Sequence, residues 1–214
     1  MVKADFLSLS AEEKKTIESY DRIADKWNDV NPAHWRDEFW YIFTERLKGK
    51  LILDVGCGTG RDAKMLTEDG FRCVGVDLSF AMLAKGKEIL GAEIAKGRAF
   101  LMRSNILAIP LRSKMFDGFV CFTTLMHLPR FKTLPALKEI RRVLKHGAIG
   151  YISIPYGTMS GMYNGRSEKF GNDRPVLVNS WLPPDFDDLL RQVSFGFIAY
   201  ERVGDILHYI VRRN

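Results

Sequence analysis

The twelve residues LILDVGCGTGRD, positions 51 to 62, limit what this chain can fold into more than any other stretch. A short apolar run carries an acid near its end, Asp54, and glycine then recurs at 56, 58 and 60. Such a run bounded by glycines reads as a buried strand, and the glycines let the backbone turn tightly and come close to a ligand before a helix begins. The N-terminus of that helix offers N–H groups to an anion. The dinucleotide fingerprint G-x-G-x-x-G would need glycine where Arg61 stands, and the Gly-Lys-Ser/Thr of a Walker loop is absent. Asp54 would also face a phosphate with like charge, so the loop suits a ligand that carries an amine.

From Leu51 onward strand-like and helical patterns alternate: LILDV, a helix through Ala63 and Leu66, FRCVGVD, a helix from Ser79 to about Leu90, AFLMRSN, FDGFVCF, a helix from about Leu134 to Leu144, and AIGYISI. Alternation of this kind implies right-handed crossovers and a parallel sheet. Ahead of it, Ser10 and Glu13 read as a capping box, and Ile17, Tyr20, Ile23, Ala24 and Trp27 share one helix face. Pro32 opens a second helix through Trp35, Phe39, Ile42, Phe43 and Leu47 to Gly49. At the far end, a helix from about Pro184 to Val193 precedes SFGFIAYER and DILHYIVRR, whose short joint at Gly204 and Asp205 predicts an antiparallel pair closing the sheet. The expected fold is α/β: a doubly wound, mostly parallel seven-stranded sheet with an antiparallel C-terminal hairpin, behind two N-terminal helices.

In such sheets ligands bind at the carboxyl ends of the strands. Asp77 ends the strand FRCVGVD about 20 residues beyond the glycines, where an acid accepts hydrogen bonds from both hydroxyls of a ribose. Taken alone it would serve equally well as a cap for the helix after Ser79; the glycine loop at the expected distance favours ribose. Together the two strand ends specify a nucleoside joined to a zwitterion, without phosphate.

LDVGCGTGRD, VGVDLSFAML, RSNILAIPL and FDGFVCFTTLMHLP resemble the successive motifs of class I S-adenosylmethionine-dependent methyltransferases of the small-molecule type. The resemblance runs from about Leu51 to Ile154 and more weakly through WLPPDFDDLLRQVSFGF. It implies S-adenosylmethionine as cofactor and S-adenosylhomocysteine as product. The loop amides of Gly56, Cys57, Gly58 and Gly60 would contact the methionine moiety, with Asp54 near its amine through water and Thr123 beside it. Asp77 would hold the ribose, Leu78 and Met82 would pack on the adenine, and the Ile106 N–H would meet a ring nitrogen. Asn105 stands where the family has an Asp for the adenine amine; its oxygen can accept the same bond, or its amide can flip. Of a pair of adjacent histidines in the family, Met126 replaces the first and His127 keeps the second, and Ser194 replaces a glycine, a change read as structural. A tyrosine in the first helix closes over the cofactor in relatives, which assigns Tyr20 to that role.

A sulfonium methyl is already activated, so alignment and exclusion of water account for most of the chemistry, and a base helps only if the nucleophile carries a high-pKa proton. His127 is the candidate base by type and place, with a structural role the favoured reading. The glycine-rich stretch from Pro155 to Trp181 is long for a connection and carries Tyr156, Met162, Tyr163 and Arg166, candidate acceptor contacts on a lid. An edge-strand insertion weighs equally, because VLVNSW can itself pair with a sheet.

At 214 residues the chain is the size of one α/β domain, divided into N-terminal helices (1–49), cofactor-binding core (50–154), lid insertion (155–182) and closing helix with hairpin (183–214). No signal-like or membrane-spanning apolar run occurs, and Cys57, Cys73 and Cys121 are single, without zinc or disulfide spacing, so a cytoplasmic protein with no metal site is expected. The net charge of +6 is interleaved, and the leading helices are slightly acidic, with Asp21, Asp25, Asp29, Asp37 and Glu38 against Arg22, Lys26 and Arg36. That pattern disfavours nucleic acid and favours a small-molecule methyl acceptor, in a monomer or homodimer. A tRNA methyltransferase and a non-catalytic cofactor-binding subunit are the alternatives; the glycine spacing counts against a dehydrogenase.

Overall fold

The computed structural model describes residues 8–30, 36–164 and 174–214. Seven strands form one sheet in the order β3-β2-β1-β4-β5-β9-β8, comprising β1 (Leu51–Val55), β2 (Arg72–Asp77), β3 (Ala99–Arg103), β4 (Phe116–Phe122), β5 (Leu144–Pro155), β8 (Phe195–Val203) and β9 (Ile206–Arg213). The pairs from β3 to β5 are parallel and β9 is antiparallel to both β5 and β8, as the alternation and the Gly204 joint predicted. The chain winds outward from β1 to β3, then returns to place β4 on the other side of β1. The strand order thus reverses between β1 and β4, where a crevice opens at the carboxyl ends. Both faces of the central strands are covered, so β1 is buried from Ile52 to Val55 between two apolar clusters.

Local chemistry sets the helix boundaries. Helix α1 (Ala11–Ile23) opens on the Ser10–Glu13 capping box, with both reciprocal bonds formed. A 3₁₀ turn (Ala24–Lys26) and the short α2 (Trp27–Val30) follow. Helix α3 (Glu38–Glu45) starts at the Asp37 cap; the expected opening at Pro32, with Trp35, lies outside the described residues. Helices α4 (Arg61–Glu68), α5 (Phe80–Ile89), the short α6 (Gly91–Ala95), α7 (Arg130–Val143) and α8 (Pro183–Gln192) complete the set. Helix α7 begins four residues before Leu134, so Pro135 sits inside it, and β5 starts already at Leu144 with a bulge opposite Phe116–Gly118. Among the described residues no helix is long and apolar enough to cross a membrane.

The insertion after β5 forms a separate antiparallel pair, β6 (Ser160–Asn164) and β7 (Pro175–Asn179). VLVNSW therefore pairs as a strand with β6, and its last residue, Trp181, bridges in parallel to Tyr156 just after β5. Its free edge receives α1: Leu177 N–H donates to Thr16 Oγ1 (2.8 Å), and Ser19 Oγ donates to the Pro175 carbonyl (2.8 Å). The opposite side of α1 packs through Ile23 and Ala24, with Tyr20 and Trp27, on Met82 of α5. Glu13 pairs with Lys132 of α7 at 2.6 Å, both buried, so the start of α1 is anchored by a buried ion pair.

Ser194 takes the left-handed conformation (φ 55°) just past α8, with its N–H on the Arg191 carbonyl, which is the place where a helix ends most cheaply on glycine. Ser194→Gly should stabilise the protein by about 1 kcal/mol and raise its melting temperature by about 2–4 °C in calorimetry. An unchanged or lowered value would mean that the serine hydroxyl offsets the backbone strain.

Candidate functional site

The glycine loop is built by backbone sterics. Gly56 N–H and Cys57 N–H both donate to the Val76 carbonyl (2.8 and 3.1 Å), folding the end of β1 over β2. At Gly56 the backbone has φ 71°, and a Cβ there would lie 2.1 Å from Thr124 Oγ1. That hydroxyl is held in place by the Val55 and Phe122 carbonyls, so it cannot yield to a side chain. Gly58 (φ 52°) donates its N–H to Asp77 Oδ2 at 2.8 Å, and Gly60 (φ 74°) donates to the Cys57 carbonyl while capping α4. Cys57 turns inward; burial keeps its thiol well above the ordinary range, so it stays protonated. The loop amides expected to reach a ligand are therefore engaged within the protein. What the loop presents to the cavity is bare backbone at Gly58, where no atom lies within 4 Å of a built Cβ.

Asp77 lies half-buried on the cavity wall with one backbone N–H on each oxygen, from Gly58 and from Ser79 (2.8 Å each). Burial raises its pKa, and those two bonds oppose the rise. Asp54 is buried under the loop and does not line the cavity. It accepts the Ala63 N–H, but its Oδ2 has no hydrogen-bond partner among the described residues. Burial, with Asp62 and Asp77 nearby, lifts its pKa well above the carboxylate range. It is Asp62, one turn on and beside Arg61, that reaches the wall. Sequence reading missed this pair, although both stand in the quoted motif as the first residues of α4.

The other side of the cavity comes from the ends of β2, β3 and β4. Leu78 and Met82 lie on it beside Asn105 and Ile106. Asn105 Oδ1 accepts the Leu107 N–H at 2.9 Å, which fixes the amide orientation and removes the flip the sequence left open. Thr123 continues β4 with φ 49°, a left-handed conformation unusual for a β-branched residue, held by its N–H on the Ser153 carbonyl (2.9 Å). Strain of this kind at a strand end marks a ligand-facing position.

Above these strand ends, Tyr20 from α1 meets His127 from the turn after β4. Tyr20 Oη lies 2.8 Å from His127 Nε2, and His127 Nδ1 lies 2.6 Å from the Leu177 carbonyl of β7. A carbonyl only accepts, so Nδ1 carries the proton and Nε2 accepts the tyrosine hydroxyl. Burial pushes the His127 pKa down to about 4, and Arg174 lowers it further against the effect of the Leu177 bond. Burial also pushes Tyr20 up to about 12. The pair is neutral at physiological pH, and the lone pair of a potential base is already used. Arg174 lies over the rings of Tyr20 and Trp27 at 5.8 and 5.9 Å.

These elements enclose a cavity of ≈ 150 Å³ lined by Tyr20, Gly56, Cys57, Gly58, Asp77, Leu78, Met82, Asn105, Ile106, Thr123 and His127 among others. Asp54 and Gly60 are absent from its wall, since one lies beneath the loop and the other caps α4. The acceptor contacts expected on the insertion are not brought there either. Met162 and Tyr163 lie exposed on the outer strand β6, and Tyr156 is covered by Arg202 at 3.7 Å. Arg166 lies outside the described residues. In their place α1 supplies Glu13, Thr16 and Ile17, which the sequence showed only as part of an amphipathic helix.

Residues 52–147 match a family model described as a methyltransferase domain. A demethylmenaquinone methyltransferase of Symbiobacterium thermophilum is 33% identical over 64% of this chain and 59% of its own length. An O-methyltransferase of Aspergillus sclerotiorum is 27% identical over 60% of this chain and 56% of its own. The chain thus spans less than two thirds of the length of these curated relatives. The crystal structure of Burkholderia thailandensis 1,6-didemethyltoxoflavin-N1-methyltransferase, with bound 1,6-didemethyltoxoflavin and S-adenosylhomocysteine, superposes with a TM-score of 0.72 at 22% identity, covering 97% of this chain and 92% of that one, and establishes the common fold. The matched domain, the strand order and the glycine loop agree, and residues 52–147 are similar to a methyltransferase domain on the fold shared with that crystal structure.

Proposed function

We propose that the cavity binds S-adenosylmethionine and that the protein transfers its methyl group to a small organic acceptor. The observation that carries this reading is Asp77: a carboxylate at the end of β2, held by two backbone N–H groups beside the bare backbone of Gly58. Each of its oxygens keeps a lone pair for a ribose hydroxyl. The donor set fits the rest of the cofactor as well. Leu78, Met82 and Ile106 provide an apolar slot for a purine, and Arg61 with Asp62 presents one charge of each sign to an amino acid moiety. Asp62 and Asp77 on the wall make this end of the site acidic, which matches an ammonium and a sulfonium and opposes a polyphosphate.

When bound, the cofactor supplies an electrophilic methyl group. The chain's own residues hold it, orient the acceptor and keep water away. Tyr20, Ile17 and Thr16 of α1 form the cover, and Phe122, Thr123 and Leu128 the floor on the acceptor side. Enclosure of this kind suits a small acceptor. The β6–β7 pair acts indirectly, because Leu177 holds both Thr16 of the cover and His127 of the floor. His127 is accordingly a positioning residue in this proposal.

Isothermal titration should show binding of S-adenosylmethionine and S-adenosylhomocysteine, and no comparable binding of NAD or ATP. Asp77→Ala removes two bonds to a charged group worth roughly 1.5–3 kcal/mol each, so affinity should fall by at least about 100-fold; indifference to this change would sink the assignment. The ribose bonds need the ionised carboxylate, so affinity should be full at neutral pH and decline as pH falls through the raised Asp77 pKa, earlier than an ordinary aspartate would allow.

His127, at a pKa of about 4, stays neutral from mildly acidic to alkaline pH. His127→Asn should therefore leave the shape of the pH–rate profile unchanged, with any loss appearing in cofactor affinity or acceptor KM. Disappearance of an acidic limb together with a fall in turnover of about 100-fold or more would instead make it the general base.

A further inference from the structure

A second cavity, ≈ 470 Å³, opens at the other end of the sheet. Ser113 and Lys114 on its wall precede β4, whereas the cofactor cavity lies beyond the far end of that strand. Its wall carries Lys114, Lys138, Arg141, Arg142 and Arg213, and no carboxylate side chain. Glu139 answers Arg142 alone (2.8 Å), and the Asn214 carbonyl accepts from Arg141 Nη2 (3.0 Å). Among the described residues Lys114, Lys138 and Arg213 form no ion pair.

Arg213 makes this more than a basic surface. It is 6% exposed, one Nη donates to the Leu144 carbonyl, and its Nε has no hydrogen-bond partner among the described residues. The Nε of Arg141 is buried without a partner as well. A guanidinium taken out of water needs an acceptor on each donor, and leaving them unanswered is expensive. Burial and the like charge of Arg141 pull the Arg213 pKa below its ordinary value, the direction expected of an uncompensated cation. Helix dipoles explain part of the cluster, since α7 and α8 both end here and cations favour such ends. They account for Arg141 and Arg142 but not for Lys114, which lies in a loop, or Arg213, which ends a strand.

We propose that this cavity is a binding site for a small phosphate-bearing anion, separate from the cofactor site. Arg213 would meet its oxygens with a buried guanidinium donor, and Lys114 and Lys138 would supply charge from the rim.

The test uses inorganic phosphate against the whole chain, with melting temperature read at constant ionic strength set by chloride. At a tenfold excess over Kd, ligand binding multiplies the folded-to-unfolded ratio about 11-fold, a rise of about 3–6 °C for a chain of this size. The rise should saturate with phosphate and be lost in Arg213→Gln. Because Arg213 is buried, the double variant Lys114→Gln with Lys138→Gln, both exposed, serves as the second test and should weaken phosphate binding by about tenfold or more. Circular dichroism of each variant without phosphate checks that the fold is kept. An equal rise in the double variant, a rise reproduced by chloride alone, or binding of a short RNA with no response to phosphate would each overturn the proposal.

Discussion

The strand ends that face the cavity hang on the turn at Gly56. Two amides of that turn converge on the Val76 carbonyl, so β1 and β2 end in one backbone knot, and the next amide reaches Asp77. A side chain at Gly56 would strike Thr124, whose hydroxyl ties β1 to the end of β4. The knot therefore sets the spacing of three strand ends at once. The left-handed backbone at Thr123 is the corresponding strain on the β4 side, held by a single bond to Ser153. A site assembled this way is rigid below and leaves all adjustment to the elements laid over it.

What was legible in the sequence is what is encoded locally. The alternation of strands and helices, the Ser10–Glu13 box and the acid closing β2 each depend on residues within a few positions of one another. Contacts formed across the chain left no such trace. Asp21 accepts from Ser79 Oγ and the Ala81 amide, 58 and 60 residues away, and Tyr20 meets His127 across 107. The insertion misled for the same reason. Its aromatic and methionine residues suggested a pocket lining, but in a two-stranded ribbon one strand must be outermost, and β6, with Met162 and Tyr163, took that place. The loop amides were misread differently: glycine signals close approach of a backbone, and here the backbone approached was the protein's own.

The acidic end of the cavity sets a trade between stability and binding. Asp54, Asp62 and Asp77 crowd one another, and two of them have pKa values raised by burial. For an aspartate the raised value means that the folded state binds protons more tightly than the unfolded one. Stability contributed by these groups is then present at low pH and lost as pH rises through the raised pKa. At neutral pH the ligand-free fold holds anionic charge that it would be more stable without. Under the proposed function an ammonium and a sulfonium relieve that charge, so the same groups that weaken the empty protein favour its ligand.

The cover over the cavity is attached unevenly, and the asymmetry follows from which contacts water can replace. Along β7, α1 is held by Thr16 and Ser19 through hydrogen bonds of neutral groups, each with a net worth of about 1 kcal/mol because solvent offers an equivalent partner. At its start, Glu13 and Lys132 form a buried ion pair, with Lys132 also donating to the Ser8 carbonyl, and separating them would leave two buried charges uncompensated. At its end, Tyr20 and Trp27 rest on Met82 beside Arg174. Lifting the end of α1 breaks the charge-assisted bonds of Asp21 to Ser79 Oγ and the Ala81 N–H together with the ring contacts, and lifting its start breaks a charge pair. Both ends of α1 are thus tied by charged groups, and the stretch along β7, held only by neutral hydrogen bonds, is its most weakly attached part, above a Gly56 knot that none of these contacts touches.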